Sequence, residues 1–309
     1  MKNKILLPLR PATLFAGLVA TGALLGCEAK PAVTAVPSAA HIQVLASKTK
    51  VQLVFVKGGE FQMGDFGEIH SQEKLPYSVE RHDGPLHKVA LSDFSIMKYK
   101  VTLAEYDVYA AANSLPLAYA TPAEVLFNET VRANPKSATF PVGVDWQDAQ
   151  NYCRWIGNQL GLPMDLPTEA QWEYAARARG TLLVFATDNG KEEPGRNFPT
   201  YKQIEKIVGD GAGQLPVGLY PPNPLGLYDL GFNGYEWTTE WYAEDYYARP
   251  TEKDPRGLES GTKKVFRSLT NDGNDHPAMT FRRDARVMLL ANSPTDVGNS
   301  AFGFRCIAR

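Results

Sequence analysis

The sequence contains little cysteine and no excess of positive charge. Three cysteines in 309 residues are too few for a disulfide-dense scaffold, and they do not resemble a zinc ribbon in number or spacing. The 32 Lys and Arg residues are balanced by 34 Asp and Glu residues, which argues against nucleic-acid binding because no cationic excess remains to neutralise phosphates. A hydrophobic fraction of 44% excludes wholesale disorder. The 26 glycines and 22 prolines indicate a loop-rich fold.

The N-terminus has no apolar run long enough for a comfortable membrane span. Residues 11–25 are uncharged and mostly apolar, but a span needs about 20 residues, so this run behind a basic start fits the core of a signal peptide. It ends in Leu-Leu-Gly-Cys at 24–27, which resembles the lipobox of bacterial lipoproteins. The resemblance implies cleavage before Cys27 and acylation of its thiol. The alternative is an ordinary secretory signal with a chance cysteine.

The predicted organisation is a signal peptide over residues 1–26, a tether over 27–50 and one domain over 51–309. The tether is rich in Ala and Pro and shows no periodic apolar pattern. Several acyl chains on Cys27 would anchor the protein stably, and Glu28 in place of an aspartate favours the outer membrane. We therefore expect a lipoprotein on the periplasmic face of a bacterial membrane, in contact with the bilayer through its lipid anchor only.

The domain is predicted to mix short strands with helices. Residues 51–56 form a run typical of a strand. Helices are predicted to begin at Thr102, near Asp145 and at Thr168, the first and the third with a capping-box pattern. Apolar residues recur at the 3.6-residue period through the second helix, and Gly161 is expected to end it.

Residues 166–177, Leu-Pro-Thr-Glu-Ala-Gln-Trp-Glu-Tyr-Ala-Ala-Arg, resemble the hallmark segment of the formylglycine-generating enzyme (sulfatase-modifying factor) superfamily. Further segments match in the same order: 58–64, 99–102, 141–155, 216–218, 221–230 and 303–306. The resemblance covers the chain from about residue 51 to its C-terminus. It implies the family's α/β (α+β), loop-rich fold, which is distantly related to that of C-type lectins.

The same resemblance implies a disulfide between Cys153 and Cys306, because family members with cysteines at these motif positions pair them. The predicted secretion agrees with this pairing, since such a bond persists in an oxidising compartment. It would contribute roughly 3–5 kcal/mol on the chain-entropy model, because it closes a very long loop. Two separate buried thiols are the alternative.

The catalytic cysteines of the family are missing from this sequence. The aerobic enzymes use two thiolates five residues apart to bind copper, a ligand type that suits Cu(I). An ungapped alignment of the segments 267–270 and 282–286 puts Gly273 and Ala278 at these positions. Neither side chain can bind a metal or carry out thiol chemistry, so we expect no copper and no formylglycine generation by this mechanism.

Few other groups could support catalysis, because the chain has five histidines and lacks the His-x-x-x-His-x-Glu helix of iron-dependent relatives. The histidines at 70, 82 and 87 could supply three imidazoles to a metal, although loop histidines are more often simply solvated. His276 lies in the former active-site segment beside Asp272 and Asp275, which makes this trio the candidate for acid–base chemistry. A polar surface loop is the alternative.

The resemblance also implies structural calcium, for which oxygen ligands are suited. Matching residue by residue gives a first set that consists of the Asp229 side chain, the Phe232 and Gly234 carbonyls and the Glu236 side chain. A second set, whose spacing departs by one residue, consists of Asn197, the Phe198 carbonyl and Asp210. Closure of both loops by hydrogen bonds alone is the alternative.

Two functions are consistent with these residues. The first is a pseudoenzyme that binds a protein partner at the membrane, for example as an immunity protein that neutralises a type VI secretion effector toxin, or as an envelope scaffold. The Trp and Tyr residues between 237 and 247 suit a protein interface unless they are buried. The second is a non-thiolate oxidative maturation enzyme of the periplasmic siderophore-maturation type. The missing thiols favour the first.

Overall fold

The described residues of the computed structural model are 37–118, 131–209, 213–249, 253–271, 276–287 and 301–309. They combine short strands and helices with long connections, which confirms the predicted mixed fold. Within these ranges we find no helix that is both long and apolar enough to cross a bilayer.

Helices and strands are labelled in chain order. The helices are α1 (Ala39–Gln52), α2 (Gly67–His70), α3 (Leu103–Ala112), α4 (Trp146–Leu160), α5 (Glu169–Ala176) and α6 (Tyr201–Val208). The strands are β1 (Leu53–Val56), β2 (Gly59–Met63), β3 (His87–Leu91), β4 (Phe94–Met97), β5 (Met164–Asp165), β6 (Tyr235–Trp241), β7 (Lys263–Arg267), β8 (Asp284–Val287), β9 (Phe302–Gly303) and β10 (Ile307–Ala308).

The C-terminal strands connect two four-stranded sheets. One sheet has the order β1-β4-β10-β5 and the other β8-β7-β6-β9, while β2 and β3 pair as a separate antiparallel ladder. Ile307 of β10 pairs with Ile96 on one side and with Asp165 on the other. Glu236 of β6 pairs with Gly303 of β9 in parallel. The last residues of the chain are therefore needed to complete both sheets.

The helix ends follow the predicted capping signals. Thr102 and Thr168 cap α3 and α5, each in a complete capping box, which satisfies the free N–H groups of the first turn. Asp145 precedes α4, and Gly161 ends it with a φ of 66°, a left-handed conformation that glycine adopts without a steric penalty. The inward face of α4 is buried in the core.

Residues 39–50 do not belong to a tether, contrary to the prediction for 27–50. They form most of α1, which packs against α3 and α4 and buries Leu45 and Thr49. The segment 39–50 contains no proline and begins with two alanines, so it favours a helix, and Ser38 caps its first turn. The domain thus begins at residue 39 and not at 51. Residues 27–36 and the predicted signal peptide lie outside the described residues.

Candidate functional site

The hallmark helix α5 directs three charged side chains into the interior. Glu169, Glu173 and Arg177 are spaced four residues apart, so they lie on one face of the helix. All three are at most 1% exposed. Thr168 fixes the start of the helix through its capping box, which sets the direction of this face. The sequence analysis did not single out this charged stripe, although the four-residue spacing is visible in the printed sequence.

Three arginines neutralise the two glutamates of α5. Arg267 donates from Nη1 to Glu169 Oε1 at 2.8 Å and from Nη2 to Glu173 Oε2 at 2.7 Å. Arg283 donates from Nε and Nη2 to the two carboxylate oxygens of Glu169 at 2.8 and 3.2 Å. Arg177 Nη1 donates to Glu173 Oε1 at 2.8 Å. We call these five residues the α5 charge cluster. It joins α5 to β7 and to the segment before β8.

The electrostatics of the α5 charge cluster keep Glu169 ionised. Burial alone would raise the pKa of Glu169, but the guanidinium groups of Arg283 and Arg267 outweigh it and hold that pKa below its ordinary value. Burial raises the pKa of the neighbouring Tyr247 well above its ordinary value, and its hydroxyl donates to Glu169 Oε1 at 3.1 Å. Neither the Glu169 carboxylate nor the Tyr247 hydroxyl therefore exchanges a proton near neutral pH. The cluster is therefore suited to holding the fold together and not to acid–base catalysis.

A second buried group of charges surrounds Glu236 on β6. Arg305 donates from Nε and Nη2 to the two carboxylate oxygens at 2.7 and 2.9 Å, a bidentate pair. Trp172 Nε1 donates to Glu236 Oε2 at 3.1 Å, and Lys100 Nζ lies 3.5 Å from Oε1. Burial would raise the pKa of Glu236, but Arg305 and Lys100 lower it below its ordinary value. This carboxylate belongs to the first set of predicted calcium ligands.

The first calcium set does not fit the ion, because a lysine occupies the place between its oxygens. Lys100 Nζ contacts the carbonyl oxygens of Phe232 and Gly234, the former at 2.9 Å. Asp229 Oδ2 accepts from the N–H of Gly218 at 2.8 Å. A Ca²⁺ ion at this position would clash with the ammonium group and meet its positive charge.

The second calcium set is divided between described and undescribed residues. Asn197 Oδ1 accepts from the Glu193 N–H at 2.9 Å, and its Nδ2 donates to the Lys191 carbonyl at 3.0 Å. The Phe198 carbonyl accepts from a backbone N–H at 2.8 Å. Asp210 lies outside the described residues. The side chain of Asn197 thus closes its own loop by hydrogen bonds.

The predicted acid–base trio can be assessed at His276 alone, because Asp272, Asp275 and the neighbouring Gly273 lie outside the described residues. His276 is exposed, and its Nδ1 lies 2.6 Å from Glu192 Oε1. The structure therefore places this imidazole in a surface pair. The acid–base role of the trio stays a prediction.

Ala278, which the ungapped sequence alignment puts at the position of the second thiol, is buried, and its N–H donates to the Gly231 carbonyl at 2.6 Å. The two remaining cysteines are joined: Cys153 on α4 and Cys306 form a disulfide with their Cα atoms 5.5 Å apart, the pair that the resemblance implies. Cys27 lies outside the described residues. No free thiol occurs in the part of the chain that the structure describes.

The three loop histidines do not form a metal centre. His70 Nδ1 lies 2.6 Å from the Tyr77 hydroxyl, His82 Nδ1 lies 3.1 Å from the Tyr242 hydroxyl, and His87 Nδ1 lies 3.0 Å from a backbone carbonyl. Across the described ranges, the side chains of His, Cys, Asp and Glu form no group of three or more that could hold a metal ion. These histidines therefore act as separate polar contacts.

The aromatic segment at 237–247 contributes partly to the core. Trp237 and Tyr247 are buried, at 2% and 1% exposure, so they are not available as interface anchors. Trp241 is half-buried, and its ring lies 3.8 Å from Lys264 Nζ. The predicted interface role is wrong for the two buried residues, because Trp237 stacks on Phe302 in the core and the Tyr247 hydroxyl donates to the buried Glu169.

A cavity of about 530 Å³ opens beside α5, and sequence reasoning missed it. Glu240, 3% exposed, lines it and accepts from the Glu169 N–H with both carboxylate oxygens at 2.8 Å. Burial, reinforced by the negative charge of Glu169, raises the pKa of Glu240 to about 7. The exposed cations Arg249, Lys253 and Arg256 also line the cavity. It can therefore combine a proton-exchanging carboxyl group with a basic rim. The sequence signal that could have indicated this group is the acid Glu240 between the aromatic ends of the segment Trp-Thr-Thr-Glu-Trp at 237–241.

The fold and its hallmark helix agree with the comparison to known families. The sulfatase-modifying factor enzyme 1-like domain matches residues 39–309. The chain belongs to this family, which confirms the resemblance read from the sequence. The match begins at the first residue of α1, in agreement with the corrected start of the domain.

Individual relatives include enzymes and longer proteins. The formylglycine-generating enzyme of Streptomyces coelicolor is 30% identical over 297 residues, which cover 82% of this chain and 88% of that enzyme. The serine/threonine-protein kinase pkn1 of Chlamydia pneumoniae is 29% identical over 274 residues. These cover 82% of this chain but 37% of the kinase, so the chain spans little more than a third of the length of that relative.

Solved structures share the fold. The structure of PvdO from Pseudomonas aeruginosa has a TM-score of 0.59 at 25% identity and covers 83% of this chain and 94% of its own. Treponema denticola variable protein 1 has a TM-score of 0.57 at 20% identity, with coverage of 83% and 94%. The latter likeness concerns the fold alone.

Proposed function

We propose that the protein is a lipid-anchored periplasmic pseudoenzyme that binds a protein partner. The proposal rests on the positions of the three cysteines in the chain. Cys153 and Cys306 are consumed in a disulfide, Cys27 stands in the lipobox-like segment, and Gly273 and Ala278 stand where the family has its thiols. Copper chemistry of the thiolate type has no ligand here.

The paired interior supports the same proposal. Both carboxylates of the α5 charge cluster are bound by guanidinium groups, and Glu236 is bound by Arg305. Such fully paired charges give a rigid scaffold, whereas catalysis needs a group that can change its charge or partner. The partner is a toxin, which makes the protein an immunity protein against a type VI secretion effector, or an envelope component for which it is a scaffold.

The loss of enzymatic activity is tested with a cysteine-containing sulfatase peptide, oxygen and Cu(I). We expect no aldehyde-bearing product by mass spectrometry, because no thiolate pair is available to hold the metal. The Streptomyces coelicolor relative, assayed in parallel, serves as the positive control. Copper-dependent conversion of the peptide by this protein would refute the pseudoenzyme.

Partner binding is tested by affinity capture from envelope extracts of the native host with the mature protein. We expect one protein in stoichiometric amount, and reconstitution of the purified pair as a complex of defined mass. If no such partner is recovered and the protein instead carries one redox metal per chain, the binding function is wrong.

The anchor is tested by substitution of its cysteine. We expect Cys27→Ser to abolish palmitate incorporation and to release the protein from the membrane fraction, because acylation needs the thiol. The double variant Cys153→Ala/Cys306→Ala retains Cys27 and is the matched control, which should still be labelled. Unchanged labelling of Cys27→Ser would contradict the lipoprotein assignment.

The cavity favours a second candidate function, a non-thiolate oxidative maturation enzyme of the periplasmic siderophore-maturation type. A carboxyl group with a pKa of about 7 at a 530 Å³ cavity is suited to proton transfer. In this case Glu240→Gln would abolish turnover of a substrate without weakening the capture of a partner. For the pseudoenzyme, the same substitution affects stability alone.

A further inference from the structure

Lys100 is an entirely buried lysine whose ammonium group is surrounded by oxygen atoms of one loop. Its Nζ donates to the carbonyls of Phe232 at 2.9 Å and Asn233 at 3.2 Å, and also to the carbonyl of Gly234. The carboxylate of Glu236 lies 3.5 Å away. Lys100 and Glu236 are both 0% exposed. An ammonium group has three N–H donors, and here each one has a backbone acceptor.

The loop is wound so that these carbonyls converge. Asn233 and Gly234 have φ values of 65° and 97°, which lie in the left-handed region that most residues avoid. Asn233 is held there by its own side chain, whose Oδ1 accepts from the Leu215 N–H at 2.8 Å and whose Nδ2 donates to the Leu215 carbonyl at 3.0 Å. Three consecutive carbonyl dipoles directed at one point repel each other unless a positive charge lies between them.

The oxygen set is therefore a preformed cation site, and its occupant is supplied by the chain itself. We propose that the ammonium group of Lys100 replaces a bound calcium ion in this loop, so that the domain folds around a covalently attached cation and needs no metal there. Lys100 lies between β4 and α3, whereas the loop precedes β6. The contact thus joins two distant parts of the chain, whereas the predicted ligands of the ion all lie between residues 229 and 236.

A tethered cation differs from a bound ion in its thermodynamics. The stabilisation that a bound ion gives depends on its free concentration and grows with the logarithm of that concentration above Kd, whereas Lys100 is present in every molecule. We therefore expect the stability conferred by this loop to be independent of calcium and of chelators.

The test substitutes Lys100 in two ways and adds a matched control. Lys100→Ala removes the ammonium and its stem and leaves room for an ion among the carbonyls. Lys100→Met fills the same space with an uncharged side chain of similar length, so that neither charge nor ion can enter. Lys264→Ala is the control, because Lys264 is also buried, at 2% exposure, but donates to one carbonyl, that of Thr239.

Thermal unfolding is measured for each protein in EDTA and in millimolar CaCl₂. We expect the melting temperature of Lys100→Ala to rise by roughly 5 °C or more with calcium beyond any rise in the wild type, a shift typical of a ligand well above its Kd. Lys100→Met and Lys264→Ala should show no such additional rise. Equal calcium responses of Lys100→Ala and Lys100→Met would overturn the proposal.

A measurement on the wild type decides the matter if the variants do not fold. Trp172 Nε1 lies 3.1 Å from Glu236 Oε2, so this indole would sensitise the luminescence of a terbium ion bound in the loop. Terbium bound in the loop would give an emission that disappears in Trp172→Phe and on addition of calcium. We expect the wild-type protein to show no such emission. Emission with both properties would show that the loop of the unaltered protein takes a metal, and would refute the proposal.

Discussion

Arg267 pairs with two buried carboxylates at once. Its guanidinium is entirely buried and bonds the carboxylates of both Glu169 and Glu173. A buried pair is often no more stable than an apolar replacement of both partners, but removal of one partner leaves an uncompensated charge. We expect Arg267→Met to lower the free energy of unfolding by roughly 3–5 kcal/mol, measured by urea denaturation.

An exposed arginine pair provides the matched control for that substitution. Arg249 donates to Asp245 at 3.1 Å, and both side chains are exposed. Because water and salt screen such a pair, Arg249→Met should cost less than about 1 kcal/mol. If Arg267→Met costs no more than Arg249→Met, the α5 charge cluster does not hold the fold together.

Glu240 should give the protein a pH-dependent stability. Burial and the charge of Glu169 raise its pKa to about 7, and the negative charge of Glu240 acts in turn on Lys264. A carboxyl group with a raised pKa stabilises the fold when it is protonated. This stability is fully present below the ordinary glutamate pKa and is lost as pH rises through about 7. Glu240→Gln should therefore remove this pH dependence, which amounts to roughly 3–4 kcal/mol of unfolding free energy across the window.

Urea unfolding across this pH window checks the prediction, with Glu244→Gln as control because Glu244 is exposed and close in sequence. The control should follow the pH profile of the wild type. A profile of Glu240→Gln that is parallel to that of the wild type would show that Glu240 is ionised in the folded protein throughout the window.

Two substitutions in α1 can test whether this helix packs stably on the domain. Leu45 is 5% exposed in the core, whereas its neighbour Val44 is 67% exposed. Truncation of a buried leucine removes packing and leaves a cavity, so Leu45→Ala should cost about 2–4 kcal/mol. Val44→Ala should change stability by less than about 0.5 kcal/mol. Similar small effects of both substitutions in urea denaturation would show that α1 does not pack stably on the domain.

Element boundaries could be predicted where local chemistry determines them. The capping boxes at Thr102 and Thr168 are local signals that involve residues three positions apart, and both helices begin there. A third capping box at Thr200 carries the same pattern with Gln203 and begins α6, but it was not recognised. For α1, the Ala- and Pro-rich composition of residues 27–50 predicted a tether. The prediction failed because the burial of Leu45 depends on α3 and α4, which lie far along the chain and leave no local signal.

Contacts between distant parts of the chain also limit how much of the candidate site can be predicted from the sequence. The disulfide could be inferred from motif positions alone, whereas the alignment that puts Gly273 and Ala278 at the thiol positions stays a prediction. The place of Lys100 could not be inferred, because its acceptors lie 132 to 134 residues further along the chain. Likewise, Glu240 is an ordinary strand residue in the sequence and acquires its raised pKa only from burial beside Glu169.

On the scale of the whole molecule, one covalent bond links the middle of the chain to its end. Cys153 on α4 and Cys306 next to β10 are 153 residues apart in sequence and both fully buried. A bond across so long a loop restricts the unfolded chain strongly. Since the C-terminal strands complete both sheets, this bond keeps the last elements close to their pairing partners even when the chain is unfolded.

The double variant Cys153→Ala/Cys306→Ala should therefore lose roughly 3–5 kcal/mol of unfolding free energy. Its urea m-value should rise, because an uncrosslinked unfolded chain exposes more surface. Both proteins are compared in a Cys27→Ser background, so that thiol titration in denaturant detects only this pair. The parent should then show no reactive thiol before reduction and two afterwards. An unchanged m-value together with a loss below about 1 kcal/mol would mean that the sheets, and not the crosslink, hold the C-terminus in place.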